Sequence, residues 1–416
     1  MRKIQLTMVL CTVFFSAVIL LAQEEKKFPA NVAKPQAEQA EQAKKAEPQE
    51  KEAKPRPEAD TTVLDTQQWK EVDESVEKAL KWLISQQQAD GSFPSKKTGQ
   101  PGVTGLCMLA FMSQGHLPGE GEYGDQLQRA LDFIVSCQKR SGLIALEAPD
   151  VDKLSRRVAH DVGYTCVYNH AIAALVLTES YAMTGSDQTK PIKPIIEKAL
   201  MATYQMQDFR RARKDDEGGW RYLDIAEFVD ADLSVTAWQL MFMRSAKNAG
   251  FDIEEERITR AIKFVHRCFQ EDRGTFSYKV GFPDRPSRGM AGAGILALAH
   301  SGLHDSPEAQ RAGDWILKSG FHEYNEMGRV KDIVSSGDRY HYGLLTSSQA
   351  MYQLGGRHWR DFFPPTVRVL MDNQSKDGSW KTEKMHNDRQ YGNAYTTAIG
   401  VLTLSTPNDL LPIFQR

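Results

Sequence analysis

The feature that most constrains this chain is a short motif that returns behind successive amphipathic runs. Gln87-x-x-Asp90-Gly91-Ser92-Phe93 recurs as Gln270-x-x-Arg273-Gly274-Thr275-Phe276 and again as Gln374-x-x-Asp377-Gly378-Ser379-Trp380. Looser copies read Gln138-x-x-x-Gly142-Leu143-Ile144 and, with an insertion, "EGGWRY", which holds Gly218, Gly219 and Trp220. Each copy follows a stretch with apolar residues at three- and four-residue spacing, such as Ala79, Leu80, Trp82 and Leu83, the mark of a helix with one buried face. The glycine then falls where a helix end needs a left-handed residue, and the aromatic can fold back onto the helix just ended. Self-similarity at this scale points to a repeat fold, in which each unit buries its face against its neighbours.

A second helical run follows each motif, richer in apolar and small residues: "VTGLCMLAFMSQGH", "YNHAIAALVLTESYAMTG", "LSVTAWQLMFMRSAKNAG", "GMAGAGILALAHSGLH", "YHYGLLTSSQAMYQLGG" and "YGNAYTTAIGVLTLS". Helices with so little polar surface must be covered nearly all round. One half-charged and one buried helix per unit, six times over, predicts an all-α fold: an α6/α6 toroid of two concentric rings spanning 63–416. The fifth unit is degenerate, because Trp315 to Gly320 ends a helix with no Gln-x-x-x-Gly behind it.

Ahead of the toroid, Arg2 and Lys3 precede an apolar run from Ile4 to Ala22, the order of an export signal. At about 19 residues the run is also long enough to stay as an N-terminal anchor. Residues 1–22 are therefore expected to direct export, placing the bulk of the protein in the periplasm, secreted, or anchored facing outward. From 23 to 62 the composition collapses to Ala, Glu, Gln, Lys and Pro, which gives a disordered tether with nothing to bury and brings the toroid near a membrane or envelope. Lys and Arg number 52 against 54 Asp and Glu, so no basic surplus points to nucleic acid. Cys107, Cys137, Cys166 and Cys268 sit in apolar helical runs and read as small buried thiols, although export would permit disulfides.

On these motifs the chain resembles the prenyltransferase and squalene-oxidase repeat group, the toroid shared by squalene-hopene cyclases and protein prenyltransferase β-subunits. The resemblance runs from about Glu71 to Thr406. It implies that Gln87, Phe93, Gln270, Phe276, Gln374 and Trp380 tie outer helices together. Cyclases of this group use Asp-x-Asp-Asp to protonate an alkene. Here Asp230 and Asp232 match the first and third positions as catalytic candidates, but Leu233 stands where the last Asp belongs. The plainer role for Asp232 is to cap the helix that begins at Leu233. The prenyltransferase zinc pattern Asp-x-Cys is absent. The nearest metal candidates are His160, Cys166 and His170 beside Asp161, where a packed cysteine next to pore-facing histidines is the simpler expectation. No cofactor is expected, with zinc as the exception to test.

Parallel inner helices would gather their N-terminal ends at one mouth, lined by His160, Asp161, Tyr164, Tyr168, His170, Arg339, Tyr340, His341, Tyr342, Arg389, Tyr391 and Tyr395. Three functions then compete: an exported toroid that binds a small-molecule, lipid or glycan ligand in its central cavity, a terpenoid-cyclase-like enzyme acting through Asp230 and Asp232, and a carbohydrate-active, lyase-like toroid using the Arg339–Tyr342 run. Whether the chain is an enzyme stays open, since the catalytic motifs of the group are incomplete.

Overall fold

The computed structural model describes residues 61–155, 158–184, 190–223, 230–281, 286–326, 329–330, 333–334, 338–384 and 387–415. All of them belong to the unit Lys54–Arg416; the expected signal (1–22) and tether (23–62) lie outside them except for Thr61 and Thr62, which open a short 3-10 helix, Thr61–Val63. Among the described residues no helix is long and apolar enough to cross a membrane.

The chain is mostly helical. Its helices are α1 (Thr66–Ser85), α2 (Gly102–Met112), α3 (Gly124–Ser136), α4 (His160–Met183), α5 (Lys193–Gln207), α6 (Leu233–Asn248), α7 (Glu255–Arg267), α8 (Arg288–Ala299), α9 (Pro307–Lys318), α10 (Tyr340–Leu354), α11 (Gly356–Asp372) and α12 (Gly392–Leu404). Two two-stranded ribbons, Phe269–Gln270 with Thr275–Phe276 and Arg329–Val330 with Ile333–Val334, lie between them. The even-numbered helices contact one another in the order α2, α4, α6, α8, α10, α12, and α12 returns to α2. The odd-numbered helices pack outside this ring, each against one or two inner helices. The result is an α/α toroid. Inner helices α2 and α8 are buried along their whole length, as their small and apolar composition requires. Outer helices carry one buried stripe, such as Leu127, Ala130, Leu131 and Ile134 of α3. Outer helix α11 starts at Gly356 and runs through Pro364 and Pro365, which sit on its open face, where the carbonyls left without an N–H donor can meet water.

The recurrent motif has one geometry in four of its copies. Gln87 Nε2 donates to Gly91 O (3.0 Å) in its own turn and to Gln126 O (2.8 Å) in α3. Gln138 reaches Ile195 O of α5 (2.8 Å), Gln207 reaches Arg257 O of α7 (3.0 Å), and Gln374 reaches Ser75 O of α1 (2.9 Å). The last of these joins α11 to α1 and closes the outer circle. The motif glycines are left-handed, and all but Gly274, which faces the Arg311 side chain, press on the carbonyl one turn further along the same neighbouring helix. A Cβ at Gly91, Gly142 or Gly218 would stand 2.2 Å from the carbonyl oxygen of Arg129, Lys198 or Arg260, and one at Gly378 would stand 2.5 Å from that of Lys78. Glycine is needed here twice over, for its backbone angle and for its lack of a side chain.

The aromatic does fold back onto the helix just ended: Trp220 Nε1 donates to Thr203 O and Trp380 Nε1 to Leu370 O, both at 2.9 Å. Its backbone N–H points inward instead, to Thr104 from Phe93 (3.0 Å), to Thr236 from Trp220 (3.0 Å) and to Thr397 from Trp380 (3.1 Å). In the fourth and fifth units other contacts join the outer helices: Arg311 Nη1 meets Glu271 Oε2 at 2.5 Å behind the fourth copy, and His358 Nε2 is hydrogen-bonded to Asp314 Oδ1 at 2.9 Å in the degenerate fifth unit. Gln207 is the strap of the inserted copy and is buried. Gln207→Leu leaves the Gly218 and Arg257 carbonyls without their donor and removes one acceptor of Arg260, which keeps Asp208, so urea denaturation should show a loss of about 2–3 kcal/mol.

Candidate functional site

The inner helices present their N-terminal ends on one side. Gly102 N–H donates to Asn169 Oδ1 between α2 and α4 (3.2 Å), Tyr168 of α4 bonds Ser234 of α6, and the rings of His341 and Tyr395 lie 6.4 Å apart between α10 and α12. Below this rim the ring is packed. α4 is buried from Asn169 to Ser180, α6 from Leu233 to Met243, α12 from Thr396 onward, and α10 everywhere but Tyr342. On the mouth side, partial exposure of the inner helices falls at Tyr164, Tyr168, Tyr342 and Tyr395 and in the segments that enter them; at the far side it returns only from Tyr181 of α4 and Arg244 of α6. The candidate site is therefore a shallow basin rather than a deep shaft.

At its centre, Asp232 caps α6 by accepting from Val235 N–H (2.9 Å), as a cap before Leu233 should. Its other oxygen receives Arg221 Nη1 at 2.7 Å. Arg221 Nε lies 3.0 Å from Asp230 Oδ1, an ion contact without hydrogen-bond alignment, while Lys279 Nζ meets Asp230 Oδ2 at 2.7 Å. The four charges cancel. Burial opposes the charge on Arg221, but Asp232 first, with Tyr278, Tyr222 and Asp230, outweighs it and holds the guanidinium above its ordinary pKa. Arg221 also covers the Tyr222 ring at 4.1 Å.

Tyrosines close around this group from both sides of the ring. Tyr168 of α4 bonds the Ser234 hydroxyl of α6, and Tyr342 faces the group from α10, on the opposite side of the ring from α4, its hydroxyl buried and making no hydrogen bond among the described residues. Tyr222 and Tyr278 share a short hydroxyl contact, Arg221 Nη1 donates to Tyr278 Oη (2.6 Å), and Tyr164 lies 4.5 Å from the Tyr222 ring centre. Burial, reinforced by nearby Asp232, pushes the phenols of Tyr168, Tyr222, Tyr278 and Tyr342 well above their usual range. They serve as neutral donors and acceptors, not as bases. His160 and Asp161 stand exposed at the start of α4, with His160 beside Tyr164 (6.3 Å).

Several sequence candidates land elsewhere. His170 lies between the rings, not in the mouth: Nδ1 accepts from Ile144 N–H (3.1 Å), and Nε2 faces Thr203 Oγ1 (3.0 Å), which donates to Gln239 Oε1 (3.0 Å). It fills the place that Thr104, Thr236 and Thr397 hold in sister units, and neither nitrogen is available to a metal. Cys166 donates to Gly163 O, and burial lifts its thiol to about 12. Among the described residues no three His, Cys, Asp or Glu side chains gather as a metal group. Tyr340 packs on Phe321 and Tyr324 rings (5.5 and 5.4 Å), below the rim. His341 is 1% exposed and wedged between Glu383 Oε2 (3.2 Å) and Tyr324 Oη (3.1 Å), which fastens the 381–383 segment to α10 and leaves no lone pair for a substrate. Arg339 is half-buried at the head of α10, Arg389 is exposed, and Tyr391 and Tyr395 form a separate aromatic pair (5.9 Å) at the head of α12.

Arg221, Tyr222, Tyr278, Lys279 and Glu383 were not anticipated. All five follow a motif aromatic directly, in "WRY", "FSYK" and "WKTE". Once the aromatic is pinned between the rings, the next residues have to emerge at the mouth, so their position relative to the motif was the available signal.

Burial drives the His170 pKa down to about 3. Its ordinary value near 6.5 returns on unfolding, so the unfolded chain binds the extra proton and stability falls as pH drops from about 6.5 towards 3. His170→Thr, which keeps an acceptor for Ile144, should shrink the stability difference between pH 7 and pH 5 by about 2 kcal/mol in urea titrations.

No family model and no curated protein matches the chain. Among solved structures it is similar to a variant of the type II terpene cyclase MstE from Scytonema in complex with merosterolic acid A, with 13% identity, TM-score 0.54, and coverage of 84% of this chain and 100% of that one. A glycosidase variant in complex with glucose gives 12% identity, TM-score 0.53 and coverage of 84% and 100%. An alpha-amylase from Clostridium perfringens gives 11%, 0.51, and coverage of 80% and 97%. At these identities the likeness is one of fold: the chain has the α/α toroid of terpene cyclases and of glycosidases, as its repeats led one to expect.

Proposed function

We propose that this protein is an exported, tethered α6/α6 toroid that binds a neutral, hydroxyl-bearing ring compound, of the saccharide class, in the tyrosine basin at its mouth. The reading rests on one observation: partial exposure gathers where Tyr164, Tyr168, Tyr222, Tyr278 and Tyr342 surround a charge-balanced Arg221–Asp232, Asp230–Lys279 group. Phenol faces stack on apolar ring faces and phenol hydroxyls exchange hydrogen bonds with sugar hydroxyls. An anionic ligand would have to compete with Asp230 and Asp232 for the cations, and a cationic one would find Arg221 already over the Tyr222 face. Six inner helices in closed order support the ring count, and the apolar run and polar segment at 1–62 support export and tethering.

The cyclase alternative fits less well. Alkene protonation needs an undissociated carboxylic acid above a deep apolar cavity. Asp230 and Asp232 are ion-paired, and the ring beneath them is packed. Toroids of this fold have been solved with merosterolic acid A and with glucose; the basin favours the second chemistry.

Calorimetric titration with neutral oligosaccharides (maltohexaose, cellohexaose and chitohexaose), alongside geranylgeraniol, tests the reading. One glycan should bind, and Tyr164→Ala should weaken it at least about tenfold while leaving thermal stability nearly unchanged, since Tyr164 is half-exposed. Binding of the isoprenoid alone would revive the cyclase reading, and heat from none of them would remove the basin as a site for either class.

A further inference from the structure

The far side of the ring, where the inner helices end, is crossed by segment 405–415. Gln114 Nε2, just past α2, bonds Ser405 Oγ (2.5 Å), and Asn408 Nδ2 donates to Ser113 O (3.4 Å). From α10, Gln349 Nε2 reaches Thr406 Oγ1 (3.1 Å) and Gln353 Nε2 reaches Phe414 O (2.7 Å). The Phe414 ring lies 6.5 Å from that of His300 at the end of α8. Ile413 N–H donates to Glu179 Oε2 of α4 (3.1 Å), whose other oxygen is held by Ser245 Oγ of α6. Leu411, Ile413 and Phe414 are buried while Leu410 is exposed, and Asp409 adopts a left-handed backbone (φ 55°) that costs a non-glycine residue. The segment continues out of α12 and so reaches every inner helix, touching α6 through Glu179.

We propose that segment 405–415 is a plug that seals this end of the toroid and can swing out about Asp409, with the fully buried Glu179 carboxyl as its latch. The sealed end leaves the tyrosine basin as the open face, and withdrawal of the plug would open a second one. The feature is independent of what the basin binds. The groups facing the Glu179 carboxyl are the Ser245 hydroxyl and the Ile413 amide; His300 lies on the α8 side of Phe414, and no charged side chain contributes to the carboxyl's shift. Burial raises Glu179 to about 7 with the plug seated, against an ordinary value of 4.5 once the carboxyl meets water. Seating therefore holds a proton between those values, and the plug loosens as pH rises through about 7.

Hydrogen exchange of the full chain, corrected for intrinsic rates, tests both parts. Protection at the Ile413 amide should fall more than about tenfold from pH 5.5 to pH 8, and Glu179→Gln should abolish that dependence. Phe414→Asp should speed exchange at residues 174–183 and 349–354 as well as within 405–415, with the N-terminal halves of the inner helices, at the mouth, unaffected. Equal protection at both pH values, or pH dependence retained in E179Q, would overturn the latch. Faster exchange confined to 405–415 in the Phe414 variant would overturn the plug.

Discussion

The whole toroid hangs on one side-chain amide used repeatedly. At the end of an outer helix a glutamine donates both of its N–H groups to carbonyls, one in its own turn and one on the next outer helix, as Gln87, Gln138, Gln207 and Gln374 do. A glycine beside it lets that neighbouring backbone come within contact distance. Two helices are thus fixed in distance and in register by a single residue whose donors would otherwise be lost to burial. Repeated with the same offset, and replaced by the Arg311–Glu271 and His358–Asp314 contacts at two joints, the strap links successive outer helices until the bond from Gln374 to Ser75 completes the circle.

The second layer follows from the first. The aromatic behind the glycine, or Ile144 in the second unit, is pinned between rings by its own backbone N–H, which an inner-helix Thr104, Thr236 or Thr397, or His170 for Ile144, accepts. Outer and inner helices are thereby locked in phase. The chain leaving that aromatic has one direction open to it, towards the mouth, and so Arg221, Tyr222, Tyr278 and Lys279 meet there. Structure and candidate function share one cause: the strap that builds the ring also delivers the site. The site's electrostatics follow from the crowding. Two cations and two carboxylates in a half-buried space neutralise one another, and the tyrosines around them stay protonated.

Much of the fold could be read directly from residues, because its determinants are local and repeated. Helix period, glycine stops and apolar second helices are short-range properties, and recurrence along the chain amplifies a weak signal. The site was less legible. Asp232 was readable as a cap because capping is local. Its partner Arg221 was not, because an ion pair depends on where two loops emerge. His170 and His341 looked like mouth residues by their distance from a helix start. Rotation about the helix axis sent one between the rings and the other against Glu383, and a rotation that small depends on packing against neighbours.

The sequence by itself determined the unit, its repetition and the alternation of half-buried with wholly buried helices, since each of these is written in residue type and spacing within about fifty residues. Only the tertiary structure decided that the ring is packed below its rim, that the mouth is a charge-balanced tyrosine basin, and that segment 405–415 lies across the far end. Those outcomes depend on which side chains from distant units face one another. That is settled by the curvature the straps impose on the whole circle, and no single stretch of chain contains it.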